Sequence, residues 1–175
     1  MNKDIKDGLD ELVRISNFYG RDKQYVIAGG GNTSFKTDDR IWVKASGYPL
    51  ASISIEGLAE LDRKKLEVIS SKSYSGDSLT RENEIKTDLN AACISEGKRP
   101  SVETSLHNLI DYRFVVHLHP TLVNGLLCAD KAEVILKDIF GKEVISIPYT
   151  DPGYLLFKRI EKDHDTEPRS ICGRK

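Results

Sequence analysis

Charge of one sign is missing from this sequence: 26 lysines and arginines stand against 27 aspartates and glutamates, a formal net charge of -1. That balance removes the electrostatic footprint of a nucleic-acid binder, and no nucleic-acid partner is expected. The densest basic cluster, Arg63-Lys64-Lys65, is surrounded by acids and reads as a solvated helix face. Cysteine is scarce, with only Cys93, Cys128 and Cys172, far apart and without C-x-x-C spacing. Neither a disulfide framework nor a zinc ribbon follows, and a reducing compartment fits best. No apolar run approaches the roughly 18 residues of a membrane span. The charged start Met-Asn-Lys-Asp-Ile-Lys-Asp has no signal-peptide core. A cytoplasmic protein with no membrane partner is expected. Internal repeats and low-complexity tracts are also absent.

What is present is a balance of 39% hydrophobic and 30% charged residues over 175 positions, enough for one packed domain and too little for two. Ile5, Leu9, Leu12 and Val13 form one helical stripe, with Gly20 placed to end it. Tyr25–Ala28, Thr33–Lys36 and Ile41–Lys44 read as antiparallel strands, separated by Gly29-Gly30-Gly31-Asn32 and by Asp38-Asp39. Ile85, Leu89, Ala92 and Cys93 repeat the helical stripe, with Gly97 as a stop before Pro100. Ser101 is positioned to cap a helix carrying Leu106, Leu109 and Ile110. Arg113–Leu118 reads as a buried strand, and Pro120 suits the first turn of the helix after it. A further strand and helix follow. Regular βα alternation is lacking, so the pattern predicts an α/β protein, a three-layer α/β/α sandwich with a mainly antiparallel central sheet. From Lys162 onward apolar periodicity is lost, and the text resembles the run-up to a strand that never arrives.

Period-two geometry puts His117 and His119 on one face of the strand, with Val116 and Leu118 on the other. Two neutral imidazoles from one rigid strand supply half of a tetrahedral shell, although such a pair can equally be satisfied by local hydrogen bonds. Glu103 sits near a helix start, where a carboxylate is ordinary, and His107 lies one turn on along the same face as a structural residue. Gly29-Gly30-Gly31-Asn32-Thr33-Ser34 has neither dinucleotide-fingerprint nor P-loop spacing. It is an anion-cradling loop or a plain glycine turn, and Ser46-Gly47 offers the same two readings.

Taken in order, Gly31-Asn32-Thr33-Ser34, Ala45-Ser46-Gly47, Pro100-Ser101-Val102-Glu103 and His117-Leu118-His119-Pro120 resemble the class II aldolase/adducin family over about residues 5–160. Within that family the look is of fuculose- and rhamnulose-phosphate aldolase-type domains. The resemblance implies a metal-dependent lyase that cleaves a ketose 1-phosphate into dihydroxyacetone phosphate and an aldehyde. It also implies zinc or another divalent ion as cofactor, a small phosphorylated sugar as partner, and a homo-oligomer, commonly a tetramer in the family. His117 and His119 would be two of three histidine ligands, Glu103 the general base, and Gly31, Asn32, Ser46, Gly47 and Ser101 the substrate-phosphate loops. Val102 departs from the paired serines of the fuculose-type loop. An epimerase or dehydratase on the same scaffold, or a non-catalytic adducin-like interaction module, are the alternative readings. The family's third ligand lies in an Asn-His-Gly segment that does not occur here, and His164 stands in a polar stretch between aspartates. The expectation is therefore a single domain over residues 1–175 that is incomplete at its C-terminus and holds metal weakly.

Overall fold

A computed structural model describes residues 2–163 and 170–173. The elements run α1 (Lys3–Gly20), β1 (Asn32–Lys36), β2 (Arg40–Lys44), β3 (Leu58–Asp62), α2 (Arg63–Ser71), α3 (Ser78–Ala92) and α4 (Thr104–Leu109). They continue through β4 (Phe114–His117), α5 (Thr121–Leu127), α6 (Ala132–Phe140), β5 (Val144–Ile147), α7 (Tyr154–Asp163) and β6 (Ser170–Gly173). Four strands form an antiparallel sheet in the order β3-β2-β1-β4, and β5 and β6 pair in parallel as a second sheet. The three-layer sandwich is as expected.

Strand alternation explains the layers. Phe35, Trp42 and Leu58 project to one face and pack with Leu9 and Leu12 of α1. Ile41, Val43, Ala59 and Leu61 project to the other and meet Leu66 and Ile69 of α2 and Ile85, Leu89 and Ala92 of α3. The helical stripes and the period-two alternation thus face each other across the sheet. One strand breaks the apolar rule: Asn32, Ser34 and Lys36 of β1 share a face, and all three are buried.

Several local expectations are corrected. Tyr25–Ala28 is no strand but a set of turns after α1: the N–H groups of Tyr25 and Val26 both donate to the carbonyl of Asp22, and Ala28 has φ 54°. Aromatic and β-branched content loses there to local turn bonds. Gly20 is the last helical residue rather than a left-handed stop, because α1 ends on Arg21 in right-handed geometry. Its lack of a side chain serves close packing, since a Cβ would lie 2.3 Å from the backbone nitrogen of Ala51. Helix α3 ends at Ala92, well before Gly97. Residues 114–117 are only partly buried, with Val116 exposed, so β4 is less enclosed than its apolar text suggests. The strand thought not to arrive does form, as Ser170–Gly173 pairs in register from Val144↔Ser170 to Ile147↔Gly173. Helix α7 is the crossover that a parallel pair requires. His164 and the run Thr166–Arg169 lie outside the described residues. No described helix is long and apolar enough to cross a membrane.

Candidate functional site

Antiparallel pairing gathers the sequence motifs at one end of the sheet. Strand β1 starts where β4 finishes, with Asn32 opposite His117, and where β2 finishes, since Ser34 opposes Val43. Gly31-Asn32, Ala45-Ser46-Gly47 and His117-Leu118-His119 therefore meet. The Pro100-Ser101 turn is tied in as well, because the N–H of Ser46 donates to the carbonyl of Arg99 at 2.9 Å.

Strand β4 ends at His117, so His119 lies just beyond it, anchored by its N–H to the carbonyl of Tyr25 at 3.0 Å. The shared face survives the strand's end: the Nε2 atoms of His117 and His119 are 3.0 Å apart. Nδ1 of His117 is 3.0 Å from Oε2 of Glu103. A carboxylate can only accept, so His117 donates from Nδ1, an arrangement that in a neutral ring leaves the lone pair on Nε2, on the side of Nε2 of His119. Two imidazole nitrogens bound tetrahedrally at about 2.0–2.1 Å from one zinc ion would be about 3.3 Å apart, close to this spacing. A carboxylate behind one imidazole is also the usual support of a metal-bound histidine. The donor set thus fits half of a coordination shell. Among the described residues no three His, Cys, Asp or Glu side chains converge as a metal cluster.

Glu103 is the residue before α4, yet its side chain makes no cap bond to that helix. The carboxylate of this helix-start acid is turned toward His117 and does not cap the helix it precedes. Ser101 shapes the turn below it, its Oγ accepting from the N–H of Glu103 at 3.2 Å while its carbonyl accepts from Thr104 Oγ1 at 2.6 Å. Gly31 has φ 74°, and a Cβ on it would lie 3.0 Å from the carbonyl oxygen of His117, so the glycine loop presses on the histidine strand. Asn32 is buried, and its side-chain oxygen lacks a hydrogen-bond partner among the described residues. Ser46 and Gly47 stay exposed beside it in a turn where Gly47 has φ 93°.

The chain belongs to the class II aldolase and adducin family. The family model for the class II aldolase and adducin N-terminal domain matches residues 10–172. The chain is 32% identical over 177 residues to the uncharacterized oxidoreductase YuxG of Bacillus subtilis (strain 168), covering 95% of this chain but 25% of that protein. It spans about a quarter of the length of that curated relative. The N-terminal class II aldolase domain of a conserved protein from Thermoplasma acidophilum superposes with TM-score 0.83 at 27% identity, covering 95% of this chain and 80% of the other. L-fuculose-1-phosphate aldolase from Thermus thermophilus shares the fold, with TM-score 0.60 at 18% identity over 95% of this chain and 75% of that one.

Three buried groups on the sheet and on α4 drew no functional reading from the sequence. Lys44 donates to the carbonyl of Tyr48 at 3.0 Å; burial lowers its pKa, and the nearby charge of Glu103 opposes that shift. His107 is fully buried, and burial, followed by the charge of His117, pushes its pKa down to about 3, so the ring is neutral. Lys36 is pushed down to about 8 by burial and then by Arg63, with Asp111 opposing. Polar residues at every second position of β1 were the available signal.

Proposed function

We propose that this domain handles a small phosphorylated sugar in an aldolase-type, metal-dependent lyase reaction, cleaving a ketose 1-phosphate into dihydroxyacetone phosphate and an aldehyde. The observation that carries this reading is the row Glu103–His117–His119, in which a carboxylate holds one imidazole so that two Nε2 atoms face one point. A divalent ion held there by His117 and His119 would supply positive charge against the negative charge that develops on the ketose oxygens. Glu103 accepts the carbon-bound proton of dihydroxyacetone phosphate in the condensing direction and returns it after cleavage. Its place beside His117, mostly enclosed, is the partly dry position such a base needs. Asn32, with its unpartnered oxygen, accepts from a substrate hydroxyl, while Gly31, Ser46, Gly47 and Ser101 offer N–H and O–H donors to the phosphate. The fuculose-phosphate activity named for the Thermus relative supports the sugar-phosphate class. Retention of Glu103, His117 and His119 together argues against an adducin-like module without chemistry.

The test is exchange of solvent deuterium into dihydroxyacetone phosphate, followed by NMR with zinc added and then removed by chelation. Zinc-dependent exchange is expected. Exchange that is absent, or indifferent to chelation, would overturn the reading.

A further inference from the structure

Glu103 faces a mechanical difficulty. It precedes a helix of six residues, too short to be stable alone, and its own side chain does not cap that helix. The Ser101 turn shapes its first residues locally, but something else must fix how α4 sits on the sheet. One turn along, His107 is fully buried, and its Nδ1 lies 2.9 Å from Oγ of Ser34 on β1. Two residues further on the same face of β1, Lys36 donates to the carbonyl of His107 at 2.7 Å and also to that of Ile110. One strand therefore grips α4 twice, by a side chain in its middle and by carbonyls at its end. That strand is also the neighbour of β4, with Ser34 opposite Val115 and Asn32 opposite His117. Helix and histidine strand are thus referred to a single ruler, β1.

An apolar contact would hold α4 on the sheet equally well, because burial is non-directional. A hydrogen bond between two buried groups is directional and costly to leave unmade, so it sets register rather than mere adhesion. The geometry points to His107, locked by Ser34, as a positioning residue that aims Glu103 at His117. This inference rests on the proposed lyase reading for its kinetic consequence but not for its structural one. Misplacing a reacting group by about 1 Å costs on the order of 100-fold in rate.

The experiment compares wild type, Ser34→Ala and Ser34→Thr. In metal-free protein, the Nδ1 proton of His117 is followed by NMR as a downfield resonance, assigned through His117→Gln. Ser34→Ala is expected to lose or broaden that signal while still melting cooperatively, and Ser34→Thr to restore it. With zinc, Ser34→Ala should exchange deuterium into saturating dihydroxyacetone phosphate on the order of 100-fold more slowly, with KM changed little. A purely structural bond would lower the melting temperature and leave both readouts intact about 20 °C below the melt, where the variant is still folded. If Ser34→Ala does not fold, Ser34→Cys, which keeps the volume and weakens the bond, carries the same comparison. A His117 signal unchanged in the variant overturns the positioning role whatever the activity. A signal lost in the variant, with no exchange even in wild type, upholds the positioning role and sinks the lyase reading instead.

Discussion

Glu103 accepts a hydrogen bond from Nδ1 of His117 at 3.0 Å, joining the residue before α4 to the last residue of β4. Glutamine at this position keeps an acceptor oxygen for that N–H and loses the basicity. Glu103→Gln is therefore expected to slow deuterium exchange into dihydroxyacetone phosphate by about 10²–10⁴-fold while binding of the phosphate ester persists. Undiminished exchange would leave Glu103 as a support for His117 and no more.

Metal content is the second expectation. Elemental analysis of purified protein should find zinc or another divalent ion in wild type and little in a His117→Ala, His119→Ala double variant, since the facing Nε2 pair would be gone. Equal metal in both proteins would show that these imidazoles are not ligands.

Lys36 makes stability depend on pH. Its pKa is about 8 in the fold, against 10.5 for the ordinary side chain, so between those values the unfolded chain binds more protons than the native one. Stability from this group therefore rises as pH climbs from about 8, where the native lysine sheds the proton that burial penalises. The neutral amine still has two N–H groups for the carbonyls of His107 and Ile110. Urea unfolding from about pH 7 to about pH 10 should show wild type gaining on the order of 1–2 kcal/mol relative to Lys36→Met. Parallel pH profiles for the two proteins would show that Lys36 titrates normally.

Gly31 and Gly29 supply a paired comparison. Gly31 has φ 74°, and a Cβ would meet Leu50 Cδ1 at 2.9 Å and the His117 carbonyl at 3.0 Å, whereas nothing lies within 4 Å of a Cβ on Gly29. Gly31→Ala is expected to cost about 1–3 kcal/mol and to weaken metal binding by moving His117, with Gly29→Ala close to wild type. Thermal melts and zinc titration check both. Equal behaviour of the two variants would mean that the glycine loop does not press on the histidine strand.

Long stripes and local punctuation are legible in the sequence itself. Ile5, Leu9 and Leu12, or Ile85, Leu89 and Ala92, bury one face of a helix, and that leaves a period of about 3.6 in the text. The H-x-H pair is legible because alternate residues of an extended segment share a face, here across the end of β4 at His117. Leu58–Asp62 is not: Leu-Ala-Glu-Leu-Asp holds no β-branched or aromatic residue, and it is a strand only because β2 pairs along its whole length. Nor is the aim of Glu103, which depends on how α4 sits against a distant strand, Ser34 and His107 being 73 residues apart. A sequence marks which residues can do chemistry more readily than which buried neighbours hold them still.

The grip of β1 on α4 also has a bearing on the order of assembly. Trp42, the chain's one tryptophan, sits on β2 beside Phe35, within a hairpin whose partners are close in sequence. Lys36 and Ser34 reach α4 only across separations of 71, 73 and 74 residues. Closing so long a loop costs entropy that nearby contacts do not. During refolding, tryptophan fluorescence should recover on the timescale of the hairpin and sheet, and the pairing of Glu103 with His117 only when α4 docks. The part of the molecule that holds the candidate chemistry would then be among the last to mature, and the first to be lost when the helix lets go of the strand.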